Sequence, residues 1–203
     1  MAGSLCDYAE GKLLDLLFGA TAFSAPATIY YGLVTPNKGK WTASTTYAVN
    51  DYVIPLASFN GRLYKATAIT TGTSNSSEPT WPTTTGGTVV DSGVTWTEQT
   101  AALEAGTAPE VSGNNYGRAN LTNNTTNYPA GSQVSDAYKK NHATLITFAT
   151  PSGAWGWISH CIMFDAVTTG NALGWFDLTT PLQVLSSSTP FSFPANNVTS
   201  SLT

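Results

Sequence analysis

Charge is what this sequence has least of. Asp, Glu, Lys and Arg supply 10 % of its 203 residues, against a usual share of about a quarter, and Thr, Ser, Asn and Gly fill the gap. Eight basic residues, scattered singly, face twelve acidic ones for a net charge of −4. With no basic stripe to release counterions, no nucleic-acid partner is expected. No apolar run approaches the roughly 18 residues that a membrane span needs, so no membrane partner is expected either. The stretch from Met1 to Leu5 lacks the basic start and apolar core of a secretory signal, and assembly in a cytoplasm is the expectation. Cysteine is scarce too. Cys6 and Cys161 are far apart and no CxxC spacing occurs, which favours buried thiols over a disulfide or metal ligands.

The residue combinations that carry catalysis are also missing. There are two histidines, and no HExxH, GxSxG, CxxC or phosphate-cradling glycine loop. His160 lies in an apolar strand, where a core role is the simpler reading. Asp7, Glu10 and Asp15 fall on a helix, where solvation or the helix dipole accounts for them. Asp165 and Asp177 flank a hairpin and fit strand-end turn roles. The chain reads as a non-enzyme with no catalytic residue, cofactor or metal site.

What is present is aromatic and β-branched. Aromatics reach 11 %, enough to rule out a disordered chain, and the length suits one domain with a core or one domain carrying a small insertion. The richest stretch is 155–178: two apolar runs flank Gly170-Asn171, residues that tolerate the positive φ of a tight reversal, so a long β-hairpin is predicted. One pleat face of its first arm carries Trp155, Trp157, Ser159, Cys161 and Met163, the other Ile158, His160, Ile162 and Phe164. Neither face is polar. Such a hairpin must be covered twice, by its own chain or by neighbouring subunits.

Upstream, Ser4 and Asp7 suggest a helix cap, and the spacing of Leu5, Ala9, Leu13 and Leu16 or Leu17 predicts an amphipathic helix ending at Gly19. Thr28 to Thr35 reads as a buried strand stopped by Pro36. Residues 41–98 read as a small unit of short strands and long polar loops, with Asn60-Gly61 as a hairpin turn; Gln99 to Pro109 reads as a linker. Strands are predicted at Ala143–Phe148, Leu182–Leu185 and Val198–Leu202. The fold class is therefore mainly β: an antiparallel β-sandwich or open barrel with one N-terminal α-helix, plus a small inserted all-β domain. The expected boundaries are 1–38 with 101–203 for the discontinuous host domain and 39–100 for the insertion.

Two resemblances cover almost the whole chain. Asp7-Tyr8-Ala9-Glu10-Gly11-Lys12-Leu13-Leu14-Asp15, Ala25-Pro26-Ala27-Thr28-Ile29-Tyr30, Glu110-Val111-Ser112-Gly113 before Tyr116-Gly117-Arg118, Trp155-Gly156, Ile162-Met163-Phe164-Asp165-Ala166, Gly170-Asn171-Ala172-Leu173 and Thr189-Pro190-Phe191-Ser192-Phe193 resemble a family of small tailed-bacteriophage virion proteins, usually called tail fibre proteins. Residues 41–98 resemble the small aromatic-rich carbohydrate-binding modules of chitinases, through Trp41, Tyr47, Asp51, Val53, Asn60-Gly61, Leu63-Tyr64-Lys65-Ala66, Pro79, Trp81 and Trp96. They depart from that pattern at Asn50, where a Gly usually stands, and at Thr67–Thr71, where paired exposed tryptophans are expected.

The first resemblance implies a structural virion protein of the tail, neck or collar, or capsid surface, partnered by copies of itself in a trimer or ring and by other virion proteins. Its expected assembly residues are Leu13, Leu16, Leu17, Trp155, Trp157, Trp175, Phe191 and Phe193. The second implies, as the alternative function, an adhesin binding a host surface glycan, with Trp81 as the candidate exposed ring and Tyr47 and Tyr64 beside it. Sugar CH groups stack on flat aromatic faces, so exposure of those rings is the requirement.

Overall fold

The computed structural model describes residues 2–135, 137–186 and 189–202. In chain order the elements are β1 (Ala2–Leu5), α1 (Asp7–Phe18), β2 (Thr28–Val34), β3 (Tyr52–Val53), β4 (Tyr64–Ile69), β5 (Thr88–Asp91), β6 (Val94–Glu98), α2 (Thr100–Glu104), β7 (Ala119–Thr122), β8 (Ser132–Val134), β9 (Ala137–Asn141), β10 (Ile146–Thr147), β11 (Gly156–Phe164), β12 (Ala172–Val184), β13 (Ser192–Phe193) and β14 (Thr199–Leu202). The fold is mainly β and sandwich-like. Its centre is an eight-stranded sheet in the order β7-β2-β11-β12-β1-β14-β9-β8, antiparallel except where β1 runs parallel to β14. Strands β10 and β13 make a two-stranded sheet, and β3-β4-β6-β5 a separate four-stranded one.

The hairpin of β11 and β12 stands at the middle of the large sheet. Its turn lies where the sequence predicts, but as a loop over 165–171 instead of a tight Gly-Asn reversal: Thr169 takes φ +52° and Gly170 φ +80°, and both carboxylate oxygens of Asp165 accept from Asn171, one from the backbone N–H and one from the side-chain amide. The expected alternation of faces breaks at Ser159. Pairing passes from Ile158 opposite Leu182 to His160 opposite Asp177, so residues 178–181 bulge against a single residue, with Pro181 placed where no ladder N–H is missed. Ile158 consequently joins the core of Trp155 and Cys161 instead of the face of Ile162 and Phe164.

Both faces of the hairpin are covered by its own chain. On one side Ile158, Cys161, Phe176 and Leu178 pack with Tyr31, Leu33, Ile146, Phe148, Phe191 and Phe193, in a core roofed by β10 and β13. On the other, Val34, Ile162, Phe164 and Ala172 pack with Ile54, Leu63 and Leu103. Ile54 and Leu63 come from the segment between residues 39 and 100. That segment therefore fills the second cover that the greasy hairpin demands. A third cluster, built from Trp41, Tyr47, Val53, Tyr64, Ala66, Val94 and Trp96, is the four-stranded sheet's own core. At its centre one oxygen of Asp91 accepts from the indoles of Trp41 at 2.7 Å and Trp96 at 3.0 Å, and the other accepts from the Asn75 amide. Asn50, standing where a glycine was expected, takes φ +73°; Asn is among the few side chains that tolerate this left-handed region.

Several local expectations are corrected. Ser4 does not cap a helix: it lies in β1, and Cys6 occupies the cap position with no side-chain cap bond. Pairing of residues 3–5 with β12 draws this stretch into the sheet, a tertiary effect that a local cap signal does not report. The presumed linker contains α2, which buries Leu103 completely. Asn60-Gly61 is no two-residue reversal but part of the loop from 54 to 63 between β3 and β4. The strand expected over Ala143–Phe148 shrinks to β10, while β5, β8 and β9 form where polar loops or nothing were read.

Candidate functional site

The three aromatics expected to meet a sugar are not alike. Tyr64 is fully buried and Tyr47 nearly so, because both build the core of the four-stranded sheet. Tyr47 packs edge-on against Trp96 with centroids 4.9 Å apart, and the Tyr64 hydroxyl accepts from Asn60 while donating to the Pro82 carbonyl. Neither ring has a free face, which removes both as stacking platforms. Trp81 is half-buried: its ring lies 4.3 Å from Tyr64, tilted 34°, and its N–H donates to Glu78 at 2.8 Å. The same Glu78 carboxylate accepts from the backbone of Leu56 and Ala57, so Trp81 is fastened as a side wall of the core.

The eight candidate assembly residues divide in the same manner. Trp155, Phe191 and Phe193 are buried in the main core, where Phe148 collects all three rings edge-to-face; burial removes them as interface residues. Trp175 is half-buried and donates to Glu104 at 2.6 Å. Trp157 is half-buried under the ammonium of Lys40, 5.0 Å above its ring. Helix α1 keeps the exposed members. It has no buried residue, and Leu13 is half-buried, as are Tyr8, Ala9 and Lys12. Leu16 is exposed, Leu17 stands 70 % exposed, Leu14 57 % and Phe18 85 %.

Leu14 and Phe18 lie outside the single apolar stripe that the helical spacing of Leu5, Ala9, Leu13 and Leu16 or Leu17 predicts. The signal was present: five of the six residues from Leu13 to Phe18 are apolar, more than one buried stripe can use. Beside the helix lies a groove of about 440 Å³, lined mainly by apolar atoms of Leu5, Leu13, Ala130, Gly131 and Tyr138 and bordered by Lys140. The helix itself carries Asp7, Glu10 and Asp15 against one Lys12, so helix and groove rim are opposite in charge.

His160 is completely buried between the Ser159 hydroxyl at 2.8 Å and the Gly61 carbonyl at 3.0 Å, and burial pushes its pKa down to about 4. His142 is buried too, its ring on the Thr144 carbonyl and the Val198 amide. Cys6 and Cys161 are free and buried, and burial pushes both thiols up, away from the reactive thiolate. Among the described residues no group of three or more His, Cys, Asp or Glu could hold a metal, and no helix is long and apolar enough to cross a membrane.

The podophage GP4 fiber I protein gp80 family matches residues 4–103 and 96–201, which together take in the large sheet and the segment that covers its second face. A search of curated proteins returns no match.

Proposed function

The chain belongs to the podophage GP4 fiber I protein gp80 family, a bacteriophage fibre family and hence one of virion structural proteins, and from that premise we propose that α1 is the surface through which copies of this chain join. The carrying observation is the run of exposed Leu14, Leu16, Leu17 and Phe18 on a helix with no buried residue. A soluble monomer rarely leaves so many large apolar side chains contiguous and wet. The occupant that fits is the same helix end of a second copy, because the apolar groove beside it is bordered by Lys140 while the helix is acidic. Repetition about a symmetry axis then builds a trimer or ring, and other virion proteins dock on the assembled unit. At about 25 cal/mol per Å², an interface of roughly 1,600 Å² supplies enough driving force to exceed the entropy cost of association.

In this reading 39–100 is an inserted unit that serves first as cover for the hairpin, through Ile54 and Leu63. The experiment is light scattering coupled to size exclusion on the wild type and on the Leu17→Glu/Phe18→Glu pair, with near-UV circular dichroism as the folding control. An oligomer that becomes a folded monomer in the double variant supports the reading. A wild type that stays monomeric at tens of micromolar, or a double variant that still assembles, defeats it.

A further inference from the structure

The sheet face that carries Ile162 and Phe164 is covered by the inserted segment only at that end. Toward the other end of the hairpin the cover stops, and an open cleft of about 620 Å³ runs between the strand residues and the 35–39 stretch leading into the insertion. That volume is in the range of small-ligand sites. Register determines one wall: Trp157 and Gln183 are cross-strand partners on β11 and β12, so an indole and a primary amide stand side by side. Lys38 and Ser112 line the cleft as well, together with Asn37, whose side chain donates to Asp51 at 3.0 Å and accepts from the Tyr52 N–H at 2.6 Å.

Trp157 is held in place by tight packing. Gly39 sits at φ +68°, and a Cβ there would lie 2.5 Å from Cδ1 of the indole, so only glycine permits this approach. Lys40 places its ammonium 5.0 Å above the ring. Lys38 has a loose partner in Asp51 at 3.5 Å; Lys40 has no carboxylate partner among the described residues. Glu110, the acid in the lining, is neutralised by Arg118 at 2.8 Å.

We propose that this cleft binds an acidic saccharide, its ring against Trp157, its hydroxyls read by Gln183 and Ser112, and its carboxylate held by Lys38 in the lining and by Lys40, which reaches Trp157 from beside the cleft. An aromatic surface with several neutral hydrogen-bonding groups suits a pyranose, and an ammonium lacking its own anion selects the charged sugar over the neutral one. The site is distinct from Trp81 and does not depend on α1.

The test is isothermal titration of the full-length protein with oligogalacturonate and, separately, with a neutral maltooligosaccharide of equal length. Oligogalacturonate is expected to bind at least tenfold more tightly than the neutral oligomer, and Lys40→Gln and Gln183→Ala should each weaken it several-fold without shifting the thermal midpoint. Trp81→Ala should leave binding unchanged. Absence of binding up to millimolar oligogalacturonate, equal affinity for the neutral sugar, or binding indifferent to Lys40→Gln and Gln183→Ala overturns the proposal. Loss of binding in Trp81→Ala also overturns it, by moving the site into the inserted sheet. Because Leu17→Glu/Phe18→Glu leaves the cleft intact, assembly and sugar binding fail separately.

Discussion

His160 Nε2 meets the carbonyl oxygen of Gly61 at 3.0 Å, and this bond ties the middle strand of the large sheet to the loop that precedes β4. A carbonyl only accepts, so Nε2 must carry the proton, and Nδ1 of the neutral ring accepts from the Ser159 hydroxyl. Phe59 and Trp175 close around the imidazole, with centroids at 5.6 and 5.8 Å. His160→Ala leaves the Gly61 carbonyl unpaired and opens a void between the sheet and its cover. A loss of about 2–4 kcal/mol in urea unfolding is expected, with His160→Gln losing less.

The same histidine dictates a pH dependence. Folding holds the ring neutral, with a pKa of about 4 against a usual 6.5, because burial penalises the charged form. Below pH 6.5 the unfolded chain takes up a proton that the folded chain refuses, so stability contributed by the neutral ring is present above that pH and is lost as pH falls toward 4. The slope is at most about 1.4 kcal/mol per pH unit and flattens below 4. Urea midpoints measured from pH 7 to 4 should show this decline, and in His160→Gln the part of the slope owed to the imidazole should vanish.

Asp91 is the matching anchor inside the four-stranded sheet. Replacing it with Ala strands two buried indole N–H groups and the Asn75 amide. At about 1–3 kcal/mol for each unsatisfied buried group, Asp91→Ala should cost about 3 kcal/mol or more, visible as loss of tryptophan fine structure in near-UV circular dichroism.

Both thiols should be silent in the folded protein. Cys6 and Cys161 are buried and held protonated, so Ellman's reagent at pH 8 should titrate them only after denaturant is added, and with the unfolding rate. Fast reaction of either thiol in native buffer would contradict the burial of Cys6 at the start of α1 and of Cys161 in β11.

How much of this was legible in the sequence follows from the range of each signal. The hairpin turn, the buried β2 and the end of α1 at Gly19 rest on near neighbours, and each appeared where expected. β1 did not, because Ala2–Leu5 becomes a strand only through partners more than 160 residues away. β8 and β9 pair as a polar hairpin with exposed side chains along β8, so no apolar alternation announced them. Residue type alone does not separate core aromatics from surface ones: Tyr64 and Trp155 are buried where Trp81 and Trp157 are half-buried, a property that composition does not carry. The cleft of Trp157 and Gln183 lies beyond a bulge of four residues opposite one, and nothing local marks which side of the pleat Trp157 finally takes.

The placement of β1 between β12 and β14 has a temporal consequence. A ribosome adding about 5–20 residues per second needs about 8–33 s to travel from Leu5 to β12, the earlier of the two partners of β1. Throughout that interval the first strand has no edge to join, with the greasy end of α1 emerging directly behind it. β1 is therefore sealed into the large sheet only after β12 has been made, which makes this chain a natural client for a holding chaperone over that interval.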